Sequence, residues 1–154
     1  MNQSPDHDSR DFAKLPQNPE NSGYYTYGTP SGGNAQFGHP KLLSFIFLLE
    51  RRWRAVDARL FGVGNISLAN GVVFHPHKSH KSGLEVDIRP LRKDGLRLPV
   101  RYHENFYDRD GTKKLVELMF GTGLIRRVMF NDSQIYGVHR LAGHDNHLHV
   151  EVIS

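Results

Sequence analysis

The segment "GLEVDIRPL", residues 83–91, alternates apolar and charged side chains. Leu84, Val86 and Ile88 point one way along an extended chain, and Glu85, Asp87 and Arg89 point the other. This is the pattern of a half-buried strand, with Asp87 projecting from the face opposite the apolar one. Near the end of the chain "HLHVEV", residues 147–152, repeats it, with His147, His149 and Glu151 on one face and Leu148, Val150 and Val152 on the other. If these two strands pair, their polar side chains meet on one surface of a sheet whose back is buried.

Outward from this pair, "KLLSFIFLLERRWRAV" (residues 41–56) follows Pro40, lacks internal Gly or Pro, and reads as a helix buried in its first half. "LFGVGNISL" reads as a strand, "ANG" as a tight turn and "VVF" as the partner that completes a hairpin. In "RPLRKDGLRLPVR", Asp94-Gly95 reads as a hairpin turn, and a solvated hairpin is favoured over a substrate-contacting one. Asp110 is the expected N-cap of a helix over "GTKKLVELMF", and "IRRVMF" is a further strand. Residues 1–22, polar and rich in Asn, Asp, Ser and Pro, read as a flexible or loosely docked arm. "GYYTYGTPSGGNAQFGHP" follows as an ordered loop. The expectation is an α+β fold with a small central antiparallel sheet, about two flanking helices and long ordered loops, in one domain over residues 23–154.

A chain of 154 residues supports one domain. Its formal net charge of +4 and pI near 9.5 favour an anionic partner: nucleic acid, a lipid surface or an acidic cell-wall polymer. With no cysteine, disulfides are excluded and any metal site must be made of His, Asp or Glu, which directs attention to the ten histidines. "LLSFIFLLE" is about half as long as a membrane span of roughly 20 residues, and the first residues carry no apolar export segment.

In "HKSGLEVD", six residues separate His80 from Asp87. Paired strands would let His80, Asp87 and His149 converge, and two imidazoles with one carboxylate suit zinc with a fourth position open to water. Such a metal lowers the pKa of its water towards roughly 7. His144 and His147 would stand beside it, one to accept a proton and one to stabilise an oxyanion. His75 and His77 flank His80; either could replace it as a ligand or orient the site, and the reading adopted has His80 as ligand, His77 nearby and His75 structural. Glu85 and Glu151 are possible general bases, although solvated or ion-paired carboxylates are the favoured reading. His7, His39, His103 and His139 are assigned no chemistry.

Together "SHKSGLEVDI" and "GHDNHLHV" resemble the penicillin-insensitive murein endopeptidases, within the wider group of lysostaphin-like and D-Ala-D-Ala zinc peptidases. That group's signature is a His, six residues and an Asp, followed much later by His-x-His, here preceded by the extra His144. "FGHPKLLSFI", "GNISLANGVVFHPHKSH", "YDRDGTKKLVELM" and "MFNDSQI" resemble family segments in the same order, so the likeness spans about residues 23–152. It implies that the domain is a zinc peptidase in which His80, Asp87 and His149 bind Zn2+, His147 and His144 line the active site with His147 as base, and His77 is a further active-site histidine.

The implied substrate is the D-Ala to meso-diaminopimelate amide of peptidoglycan cross-links. A D-Ala-D-Ala carboxypeptidase is the nearest alternative, with Arg89 or Arg92 holding a free carboxylate. A metal-dependent nuclease and a non-catalytic wall-binding module are less favoured: no aromatic stacking platform is interleaved with the basic residues, and a binding module has no use for His144 and His147. Exported family members carry a signal peptide and some carry cysteines. The expectation is therefore a delivered antibacterial effector or phage-type lysin acting in the periplasm or cell wall, with a possible immunity or delivery partner, no nucleic-acid partner and no stable membrane insertion.

Overall fold

The computed structural model describes residues 6–73, 75 and 79–154 and arranges them in an α+β fold. Its centre is the pair anticipated from the two alternating segments. β5 (Glu85–Ile88) lies antiparallel to β8 (Leu148–Val152), with Asp87 opposite His149 and Glu85 opposite Glu151. β4 (Phe61–Val63) and β6 (Ile125–Met129) flank the pair, also antiparallel, and β2 (Tyr24–Thr26) and β7 (Val138–His139) close the edges in parallel, giving the order β2-β4-β5-β8-β6-β7. A separate two-stranded sheet joins β1 (Ala13–Lys14) to β3 (Phe37–Gly38).

One face of the large sheet is core. Val63, Val86, Ile88, Val128, Leu148 and Val150 on it are fully buried. α1 (Pro40–Arg54) packs against α2 (Arg109–Gly121) and β8, contributing Leu42, Phe45, Ile46, Leu49 and Trp53. Each such side chain stabilises the fold by about 1.5–3 kcal/mol through area removed from water. α1 has Pro40 in its first turn, His39 as N-cap accepting from the Lys41 amide at 3.0 Å, and Arg51, Arg52 and Arg54 at its C-terminal end, where cations complement the helix dipole. No helix among the described residues is long and apolar enough to cross a membrane.

Several expectations are corrected. Of "VVF", expected as the hairpin partner of "LFGVGNISL", Val72 and Val73 are exposed and outside any strand, and Phe74 lies outside the described residues. The backbone that would have received them is already taken, since the Ile66 amide donates to Ala35, the Phe37 amide donates to Ser67, and the Ser67 hydroxyl donates to Phe37 O. A 3₁₀ turn (Ala69–Gly71) with Asn70 at φ 65° then redirects the chain. Asp94-Gly95 forms its turn, the Gly95 amide donating to Arg92 O at 3.2 Å, but no hairpin follows because Arg92 bridges Tyr107 instead. The cap of α2 is Asp108, accepting from the Gly111 amide at 3.0 Å; Asp110 sits in the first turn. The stretch before residue 40, expected as loop, contains β2 and β3.

Residues 6–22, expected as an arm, lie against the domain. Leu15 is fully buried, β1 is zipped to β3, and Arg10 donates to Ser67 Oγ, Leu68 O and Lys81 O.

A buried acid ties the start of α2 to the loop after β6. Asp132 is 2% exposed; its Oδ2 accepts from the Tyr107 hydroxyl at 2.7 Å and Arg109 Nε at 2.8 Å, and its Oδ1 from the Gln134 amide at 3.1 Å. Burial pushes its carboxyl up, but the Arg109 and Tyr107 bonds outweigh that and hold it below the usual carboxylate range. A depressed folded-state pKa contributes stability that is present above the unfolded value and lost as pH falls through the folded one. Asp132→Asn is therefore expected to lower stability by about 1–3 kcal/mol in urea unfolding at pH 7, with the difference from wild type shrinking below about pH 4. An unchanged midpoint at pH 7 would show that the network adds nothing.

Candidate active site

The other face of the large sheet carries the polar residues, and the β5–β8 register sets their spacing. Asp87 stands between two imidazoles, its Oδ2 3.2 Å from His80 Nε2 and its Oδ1 3.3 Å from His149 Nδ1. His149 projects from β8, and His80 from the loop before β5. His80 is held there in the left-handed region (φ 63°), a strain of about 1–2 kcal/mol for a residue with a Cβ. Two bonds offset it: the His80 amide donates to Glu85 Oε2 at 2.9 Å, and the ring Nδ1 donates to Ile66 O at 3.0 Å. With Nδ1 turned to that carbonyl, Nε2 is the ring atom directed at Asp87.

The donor set fits a small divalent metal. Ligand atoms of His80, Asp87 and His149 all lie within 4.8 Å of one another. A tetrahedral ion with bonds of about 2.0–2.1 Å requires ligand-to-ligand edges of about 3.3–3.4 Å, and each imidazole has one carboxylate oxygen near that distance, Oδ2 at 3.2 Å from His80 Nε2 and Oδ1 at 3.3 Å from His149 Nδ1. Glu85, His149 and Glu151 form a second cluster within the same limit. Arg127 already holds both oxygens of Glu151, at 2.7 and 2.9 Å, which leaves the first cluster as the better cation site. Glu151 Oε1 and Glu85 Oε1, 3.5 and 3.7 Å from His149 Nε2, favour a proton on that nitrogen and so direct Nδ1 to the centre.

The electrostatics demand positive charge. Burial pushes Asp87 up, but its bonds with His149 and His80 outweigh this and hold it far below the usual range. The hydrogen bond from His149 keeps Glu85 ionised down to about 2. Burial pulls His149 down, yet Asp87 and Glu85 together raise it to about 9. Without a metal, a proton supplies part of the charge that a cation would.

His147 lies beside the centre and outside the donor set, its Nε2 3.9 Å from Asp87 Oδ1. Its Nδ1 donates to Asn146 Oδ1 at 2.9 Å, leaving Nε2 free, and burial holds it below its ordinary pKa against the pull of Asp87. The His144 ring packs 4.7 Å from that of His147, with Nδ1 directed at the Leu141 and Ala142 carbonyls. His147, Asn146 and Asp87 open into a cleft of about 310 Å³ walled by Tyr27, Thr29 and Arg89.

The remaining candidates divide. His77 lies outside the described residues, and His75 is exposed in a turn. Glu151, read as a solvated or ion-paired strand carboxylate, is 5% exposed and ion-paired. Arg92 is bound to Asp94 and does not line the cleft, whereas Arg89 does. The positioning roles of Glu85 and Glu151 and the Tyr25–Tyr27 wall were not anticipated. The signal for the wall lay in "YYTY" and in the alternating glycines of "FGVG", which meet across the β2–β4 pairing.

A buried nitrogen and oxygen donor set beside a cleft, with a free imidazole at its edge, is the arrangement a metal-assisted hydrolase uses. Residues 14–117 match the family model of the penicillin-insensitive murein endopeptidases, and the chain belongs to that family. This places it among the hydrolases that act on peptidoglycan. No curated protein matches the chain. The matched stretch includes His80 and Asp87 and ends before His144, His147 and His149, which join them through the β5–β8 pairing.

Proposed function

We propose that the chain is a zinc-dependent D,D-endopeptidase that cleaves the D-Ala to meso-diaminopimelate amide of peptidoglycan stem-peptide cross-links. The observation that carries this reading is the convergence of ligand atoms of His80, Asp87 and His149, all within 4.8 Å of one another, beside the His147 cleft. Zinc held by these three would supply a Lewis acid and an activated water. His147, outside the donor set with Nε2 free, accepts a proton from the attacking water and returns one to the leaving amine. Asn146 fixes the tautomer that makes this possible. His144, packed on His147, stabilises the developing oxyanion. The basic surface complements an anionic wall polymer.

The test is mass analysis of muropeptides after incubation of peptidoglycan with the protein, with and without chelator. Cross-linked dimers are expected to give way to monomers, chelation to stop this and added zinc to restore it. Release of free D-Ala with dimers intact would instead make the chain a carboxypeptidase. Full activity in metal-free protein would remove the metal from the mechanism.

A further inference from the structure

One arginine is placed unlike the others. Among the described residues, Arg10, Arg59, Arg92, Arg109 and Arg127 each pair with a carboxylate. Every other arginine except Arg89 is exposed. Arg89 is half-buried in the wall of the cleft, and no carboxylate of the described residues lies within ion-pair distance of it. Its Nη1 has two long contacts, 3.4 Å to the Tyr25 hydroxyl and 3.4 Å to Arg97 O, beyond the usual N–H···O range. Withdrawing a cation from water without an anion is unfavourable, so such a group points to an anion that arrives with a ligand.

The seat of this guanidinium is built into the sheet. Its central carbon lies 3.8 Å from the Tyr27 ring centre and 6.0 Å from that of Tyr25. The rings can lie where they do because β4 and the residue after it present glycines beneath them. A Cβ on Gly64 would stand 2.5 Å from Tyr27 Cζ, and one on Gly62 2.7 Å from Tyr25 Cζ. The Arg89 amide also donates to Gly62 O at 3.0 Å, so the arginine is fixed at both its backbone and its head.

We propose that Arg89, braced on Tyr27 and Tyr25, binds the carboxylate on the carbon next to the scissile nitrogen and makes the cleft selective for substrates that carry it free. The inference rests on the peptidase reading above. Asp87 and Arg89 share one strand face, where alternate residues stand roughly 6.5–7 Å apart. A carboxylate on the leaving residue is about 3.5 Å of chain beyond the attacked carbonyl, and a guanidinium–carboxylate contact adds about 2.8 Å; together they come within about 1 Å of that spacing. Two wall substrates present this group: the diaminopimelate carboxylate beside the cross-link amide, and the terminal carboxylate of an uncross-linked D-Ala-D-Ala stem.

The experiment compares kcat/KM of wild type, Arg89→Gln and Arg89→Lys on three muropeptides: a cross-linked dimer with that diaminopimelate carboxylate free, the same dimer amidated there, and a pentapeptide monomer. Wild type is expected to favour the free dimer over the amidated one by roughly 10–100-fold. Arg89→Gln is expected to lose that advantage on the free dimer, to change little on the amidated one and to keep its zinc content, while Arg89→Lys retains part of the preference. A pentapeptide cut faster than either dimer, with the same dependence on Arg89, assigns the bound group to terminal D-Ala. Equal wild-type rates on free and amidated dimers without such pentapeptide dependence, or a preference surviving in Arg89→Gln, overturns the role of Arg89 and leaves the peptidase reading standing. No cleavage of any of the three by wild type rejects that reading and this one with it. The wild-type comparison stands even where a variant fails to fold.

Discussion

His149→Ala is expected to lose bound zinc and activity together. The substitution removes one of three donors and leaves Asp87 with His80 as the one imidazole of the donor set. It also removes the ring that Glu85 and Glu151 orient from 3.7 and 3.5 Å. Disturbing a group that only hydrogen-bonds to a metal ligand costs roughly 10–100-fold in metal affinity or activity; deleting the ligand itself is expected to exceed the upper figure. The measurement is zinc per protein after dialysis, alongside muropeptide cleavage. His139→Ala, an exposed residue of edge strand β7, serves as the control that keeps both. Stoichiometric zinc in dialysed His149→Ala would remove His149 from the ligand set.

The centre of this site was legible because each half of it is local. The period of two over residues 84–88 and again over 147–152 places Asp87 and His149 on polar strand faces with no knowledge of the rest of the chain. Only their pairing had to be supposed, and the buried backs of both strands favour it. What escaped depends on contacts between distant segments. Asp108 caps α2 while also receiving Arg59 at 2.7 Å, from a position 49 residues earlier in the chain. Nothing local prefers it to Asp110. The valines of "VVF" have strand propensity, but residues 35–37 had already taken the backbone of residues 66–67. Likewise Tyr25 opposes Gly62 only through a parallel pairing of β2 with β4, and two-residue β7 is too short to show any period.

His147→Ala is expected to lower kcat by about 10²–10⁴-fold, the usual contribution of a positioned base, while zinc stays bound and KM changes little. The ring's Nε2, 3.9 Å from Asp87 Oδ1, is close enough to serve a group at the centre, and the three donors do not need it. The bond from Nδ1 to Asn146 keeps that nitrogen's lone pair available, and partial burial favours the neutral ring, the form that can accept a proton. Loss of zinc from His147→Ala would instead make His147 a ligand. Retained activity would require another base, and the nearby carboxylates are poorly suited. Glu85 is held ionised down to about 2, with one oxygen receiving the His80 amide, and both oxygens of Glu151 are engaged by Arg127. A carboxylate stabilised to that degree is a weak proton acceptor, so the burden of proton transfer falls on the imidazole.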